Sequence, residues 1–194
     1  MYEYVRGLLT ELNPTYAVVD NHGTGWCVQI SLTTFSALKQ GLEVQLYLHL
    51  IVREDAHTLY GFAEKQERAV FRQLILVNGI GPNTARMILS SLSPDELITA
   101  IATNNIGVLK TIKGIGQKSA ERMVIELKDK IGNISVDISQ NFNASGNSLH
   151  DDALQALLML GFNKSAIDKV LRNILKDGAA TSVEHVVKRA LKEL

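Results

Sequence analysis

Hydrophobic and polar residues alternate through the first sixty positions, and then the period changes. Val44, Leu46, Leu48, Leu50 and Val52 recur at every second residue and so share one face of a strand, and Trp26, Val28 and Ile30 repeat the pattern. Asn13-Pro14, Asn21-His22-Gly23 and Gly41 are turn-formers that separate these runs at the interval of a small barrel or sandwich. A five- or six-stranded barrel with one short helix near Thr33 to Leu38 fits this segment. Trp26 is expected in its core, and Cys27, within the same apolar run, is expected to be a buried thiol. From Glu64 onward Val70, Phe71, Leu74, Ile75 and Val77 form a helical stripe behind the charged segment 64–68. Ser93-Pro94-Asp95-Glu96 reads as a capped helix start with proline at the first helical position, and short helices continue to about Lys130.

Residues 134–149 are rich in Asn, Ser and Gly and read as a flexible linker. Beyond them three amphipathic helices are expected. The first is built on Ala153, Leu157 and Leu160, the second on Ile167, Val170, Leu171 and Ile174, and the third on Val183, Val186, Val187, Ala190 and Leu191. So short a unit buries little surface and suits a docking module better than a catalytic domain. The expected organisation is multi-domain, β then α: a barrel over 1–62, a helical domain over 63–133, the linker, and a three-helix domain over 150–194.

Charge changes the picture. The 194 residues carry 20 basic and 20 acidic side chains, a formal net charge of zero, which excludes a generic basic nucleic-acid coat, an acidic tail protein and a polybasic membrane binder. The charges are unevenly placed, however. Residues 1–62 hold three basic and six acidic groups, residues 63–133 ten and seven, and residues 134–194 seven of each. A single cysteine forms neither an internal disulfide nor a zinc cluster, and the five histidines stand singly at 22, 49, 57, 150 and 185. No metal, cofactor or catalytic cluster is therefore expected. With no leader-like start and no apolar run near the roughly 20 residues of a membrane span, the expected setting is the cytoplasm, away from membranes.

The middle segment contains an internal repeat. Asn78-Gly79-Ile80-Gly81-Pro82-Asn83-Thr84-Ala85 and Lys113-Gly114-Ile115-Gly116-Gln117-Lys118-Ser119-Ala120 align 35 residues apart. Each follows one helix and opens another. Two glycines one residue apart let the backbone turn sharply and approach a ligand closely, and the apolar residue between them plugs into the helix pair. The next helix then presents free N–H groups and its positive dipole end. Two such ends hold successive phosphates of a nucleic-acid backbone without reading a base. The excess positive charge lies in the same segment, with Lys110, Lys113, Lys118 and Arg122 around the second hairpin and Arg86 after the first. A P-loop is excluded because Gly116 is followed by Gln117 before Lys118-Ser119 and position 111 is Thr. A dinucleotide fingerprint is excluded because both loops follow helices and carry Thr84 or Ser119 where a third small glycine-like residue belongs.

On these residues the chain resembles the RuvA family over essentially its full length. The resemblance is carried by the hairpins, by Val52-Arg53-Glu54-Asp55-Ala56 with Leu59-Tyr60-Gly61-Phe62, by Ala120-Glu121-Arg122, and by Ala156-Leu157-Leu158-Met159-Leu160-Gly161-Phe162. It implies an OB-fold barrel, a domain of two helix-hairpin-helix motifs, and a tethered three-helix domain that contacts a RuvB-like hexameric ATPase. The implied activity is that of a non-catalytic homotetramer. It holds four-way Holliday junctions open for branch migration in DNA recombination, repair and the SOS response, with a RuvC-like resolvase in the same complex. Candidate DNA-binding residues are Asn78, Gly79, Ile80, Gly81 and Arg86 from the first hairpin, and Lys113, Gly114, Ile115, Gly116, Lys118, Ser119 and Arg122 from the second. Glu54 and Asp55, by themselves a solvated hairpin tip, become an acidic pin that repels phosphate at the strand crossover. Leu157, Leu160 and Phe162 become the face toward the ATPase. Asn83 departs from the lysine that hairpins of this family often offer there, and Gln117 stands beside Lys118. A double-hairpin accessory or nuclease-associated protein acting on forked or damaged DNA is the alternative, and a scaffold that binds only protein is a third reading.

Overall fold

The computed structural model describes residues 2–142, 149–176 and 182–194. The chain forms two compact units, residues 1–137 and 138–194.

In the first unit the alternating segments become β1 (Tyr4–Leu12), β2 (Tyr16–Asn21), β3 (Thr24–Gln29), β4 (Glu43–Val52) and β5 (His57–Phe62). They close into a barrel in the order β1-β2-β3-β5-β4. All neighbours are antiparallel except β3 and β5, which run parallel at Gln29 and Tyr60. Closure leaves no sheet edge unpaired, which decides for a barrel over a sandwich. Ala17 and Val19, Val28 and Ile30, and Leu46 and Leu48 supply the core at period two. Trp26 is half-buried against that core and meets Tyr2 edge-on, with ring centroids 5.4 Å apart. Cys27 corrects the expectation of a buried thiol, because the alternation that turns Trp26 and Val28 toward the core turns Cys27 out to solvent.

Helix α1 (Leu32–Ala37) follows β3, and α2 (Lys65–Leu74) follows β5. Phe71 of α2 seats against Tyr60, Phe62 and His49, at centroid distances of 5.1, 4.9 and 5.6 Å. Two charged residues are buried beside it. Glu67 is 1% exposed and accepts from the hydroxyls of Ser31 and Thr34 at the start of α1, the latter at 2.7 Å. Burial pushes its carboxyl above the usual range, with Glu64 adding to the push, while the two hydroxyls pull it back. Arg68 donates to the carbonyls of Glu3 and Leu48 at 2.8 and 3.3 Å and pairs with the Glu3 carboxylate, which it holds below its ordinary range. Its guanidinium lies over the Tyr47 ring, 5.4 Å from the centroid. Barrel and helices thus share one buried polar and aromatic seam and belong to a single compact unit.

Helices α3 (Pro82–Ser91), α4 (Pro94–Ala102), α5 (Ile106–Lys110) and α6 (Gln117–Phe142) complete this part of the chain. The start of α4 is a full capping box, with Ser93 and Glu96 satisfying each other's backbone amides. Helix α6 corrects the expected linker over 134–142. Ile131, Ile134, Ile138 and Phe142 recur at three- and four-residue intervals, a helical period hidden among the Asn and Ser residues. The rest of that stretch, 143–148, lies outside the described residues.

The second unit holds α7 (Leu149–Met159), α8 (Lys164–Lys176) and α9 (Val183–Glu193) around Ala153, Leu157, Ile167, Leu171, Ile174, Val186 and Ala190. The amides of Gly161 and Phe162 bond back to the carbonyls of Leu158 and Leu157 at 3.0 and 3.2 Å, ending α7 in a left-handed cap.

Candidate nucleic-acid interface

The two glycine loops match bond for bond. In the first, Ile80 N–H donates to Val77 C=O at 3.0 Å, Gly79 has φ +90°, and Ala85 N–H closes on Gly81 C=O at 2.9 Å. In the second, Ile115 N–H donates to Ile112 C=O at 3.0 Å, Gly114 has φ +87°, and Ala120 N–H closes on Gly116 C=O at 3.0 Å. Ile80 and Ile115 are buried plugs, and the four glycines are exposed around them. The left-handed backbone at 79 and 114 requires glycine. At 81 and 116 the backbone is ordinary and a methyl group would meet nothing within 4 Å, so these glycines leave the space in front of the following helix open to a ligand. The first-turn amides of α3 and α6 face that space, as does the positive end of each helix dipole. Pro82 removes one amide from the first loop, where the second has Gln117.

The cations sort into two groups. Lys113 and Lys118 are exposed beside the second loop, and Ser119 is partly exposed in the first turn of α6. Arg86 instead turns to the barrel, where Nη1 donates to Thr15 C=O at 2.8 Å and to Gln29 Oε1 at 2.7 Å. Arg122 Nη1 donates to Asn78 C=O at 3.2 Å, and its Nε lies 3.9 Å from Glu126 one turn along α6. Arg86 and Arg122 thus each have an acceptor within the same unit. Asn83, which stands in place of a cation, accepts from the Tyr60 hydroxyl at 3.2 Å and so joins α3 to β5. Tyr60 carries no charge and sits mid-strand, so nothing in the sequence marks it as part of this arrangement.

Glu54 and Asp55 occupy the tip between β4 and β5, closed by Arg53 N–H donating to Ala56 C=O at 2.9 Å. Residues 52–57 are all exposed, and the two carboxylates stand at the end of a two-stranded antiparallel arm. Among the described residues no group of three or more His, Cys, Asp or Glu is placed to hold a metal ion, and no helix is long and apolar enough to cross a membrane.

In the second unit the expected apolar face changes. Leu157 is 0% exposed and belongs to the core, which corrects its placement on a partner-facing surface. Once Ala153 and Leu157 face inward, helical geometry turns Leu158 and Met159 outward, and Leu160 lies just past the end of α7; the three are 41%, 87% and 58% exposed. Phe162 is half-buried against the core. The run of apolar residues 157–160 could not all share one helical face, and that was the available signal for Leu158 and Met159.

Three family models match the chain: "RuvA N terminal domain" over residues 1–61, "SAM-like Helix-hairpin-helix tandem" over 71–129 and "RuvA, C-terminal domain" over 148–194. Curated relatives described as "Holliday junction branch migration complex subunit RuvA" cover the full length of both chains. Those of Christiangramia forsetii and Bacteroides thetaiotaomicron are 45% and 48% identical over 194 and 201 residues, and that of Flavobacterium psychrophilum is 43% identical over 194.

Proposed function

The chain belongs to the RuvA family, and from that premise we propose that it binds Holliday junctions by shape and serves as the DNA-binding subunit of a branch migration complex. The observation that carries this reading is the pair of matched loops, each presenting an open glycine backbone and helix-start amides to a phosphate. Such contacts position a duplex arm irrespective of its sequence. Lys118, with Lys113 beside it, supplies charge to the second loop; the first has Asn83 and one amide fewer, so the second loop is the stronger of the two. Lys118→Ala accordingly weakens binding to all sequences alike and reduces the salt slope by about one.

Glu54 and Asp55 supply shape selection. Two like charges about 4 Å apart repel by roughly 1 kcal/mol in bulk water and by about 4 kcal/mol near a protein surface. Carboxylates on an exposed arm therefore disfavour continuous duplex and favour a substrate whose strands separate around them. Tyr60 and Asn83 tie that arm to the first loop, which relates the pin to the phosphate contacts.

The assembly we propose is a non-catalytic homotetramer in the cytoplasm, one chain per junction arm, with ATP hydrolysis supplied by a RuvB-like hexamer and resolution by a RuvC-like enzyme. The exposed ridge Leu158-Met159-Leu160, flanked by Phe162, is the surface offered to the ATPase. The test is the affinity of Glu54→Gln/Asp55→Asn for junction, fork and duplex of one sequence. Duplex binding rises severalfold and the preference for junction falls. Unchanged preference together with unchanged branch migration would refute the role of the pin.

A further inference from the structure

We infer that Arg122 is a positioning residue that fixes the spacing between the two phosphate-holding loops, and that its charge is not among those that meet DNA. The inference rests on the reading that the loops hold phosphates. Arg122 stands in the second turn of α6, yet its Nη1 donates to the carbonyl of Asn78, 44 residues earlier, at the entry to the first loop. Glu126 lies 3.9 Å from Nε, one turn further along α6. That carbonyl engages one donor of a side chain that is 51% exposed and directs it toward the first loop.

The repeat supplies an independent argument. Thirty-five residues before Arg122 stands Met87, in the second turn of α3. The Met87 methyl lies 3.7 Å from where a Cβ on Gly114 would be, so it reaches onto the second loop as Arg122 reaches onto the first. Equivalent positions of the two repeats thus each cross to the other repeat's loop. What they share is length and direction rather than charge, since one is a cation and the other a thioether. A cation acting on DNA from position 122 has no counterpart at 87; a side chain holding the opposite loop does.

Phosphates along a backbone have a fixed separation, so the two loops bind one arm together only if their mutual distance is held. The test compares Arg122→Ala, Arg122→Met and Lys118→Ala with the unmodified chain. In the DNA-free protein, amide hydrogen exchange at residues 79–81 accelerates in Arg122→Ala by about fivefold, the scale of one lost hydrogen bond. Arg122→Met, which copies the first repeat, restores part of that protection. In titrations of a four-way junction against salt, both Arg122 variants bind more weakly, Arg122→Met less so, with the salt slope unchanged. Lys118→Ala lowers the slope by about one. A slope lowered by about one in both Arg122 variants, or unaltered exchange at 79–81 in the free protein, overturns the inference. The exchange measurement involves no DNA, so it stands or falls separately from junction binding.

Discussion

The hydroxyl of Tyr60 on β5 donates to Oδ1 of Asn83 in the first turn of α3 at 3.2 Å, linking the strand that leaves the acidic tip to the helix that leaves the first glycine loop. Tyr60→Phe removes that bond at a cost of about 1 kcal/mol, read as a lower denaturation midpoint at unchanged m-value. Asn83→Lys removes the same acceptor and adds a cation beside the first loop. It loses a similar amount of stability, while junction binding at low salt tightens and the salt slope steepens by about one.

The glycines divide into two kinds that mutation separates. Gly79→Ala and Gly114→Ala force a side chain into left-handed backbone and destabilise by roughly 1–2 kcal/mol. Gly81→Ala and Gly116→Ala meet no neighbouring atom, and the methyl stiffens the unfolded chain, so thermal stability stays within about 0.5 kcal/mol. The same methyl stands where a phosphate approaches, and junction affinity falls by about tenfold. Melting curves and gel shifts on the four variants check the division.

Glu67 gives folding a pH dependence of definite sign. Its folded carboxyl is raised above the ordinary 4.5, so from pH 4.5 upward the unfolded chain releases its proton before the folded one does. Stability from this group is complete below 4.5 and is lost as pH rises through the window, by up to about 1.4 kcal/mol per pH unit. Glu67→Gln removes the slope. Glu3, whose carboxyl is lowered, acts only as pH falls below 4.5, and the lowered His49 contributes alike in both proteins. The difference in unfolding free energy between the two proteins, measured from pH 4 to 8, isolates Glu67.

Core and surface on α7 are separable as well. Leu157→Ala costs about 2–5 kcal/mol because it empties a core position of a three-helix unit. Met159→Asp with Leu160→Asp leaves the helical content unchanged, retains junction binding and abolishes ATPase-driven branch migration. Retained migration in the double aspartate variant shows that the ridge is not the ATPase surface.

Much of this was legible in the chain. Period-two alternation marked the strands, and the glycine repeat marked both loops down to the plugging isoleucines. Burial at single positions was less legible, because the apolar run around Cys27 suggested a buried thiol although the alternation that turns Trp26 and Val28 inward turns it out. The fates of Arg86, Arg122 and Asn83 depend on carbonyls and hydroxyls distant in sequence, and no local pattern reveals those acceptors. Glu67 and Arg68 belong to the charged segment 64–68, and their partners at Ser31, Thr34, Glu3 and Leu48 come from other elements. Helix α6 ran past its expected end because polar composition masked its period.

The edge-on contact of Trp26 with Tyr2 has a practical consequence. Trp26 is the only tryptophan, and the five tyrosines, at 2, 4, 16, 47 and 60, all lie within the barrel segment as well. Intrinsic ultraviolet emission therefore originates in the barrel segment and its seam with α2, whereas the far-ultraviolet ellipticity of the chain arises chiefly from the helices that follow it. Two optical signals recorded on one unlabelled sample thus weight different parts of the protein, and the three-helix unit, with neither Trp nor Tyr in residues 149–194, contributes ellipticity but no such emission of its own.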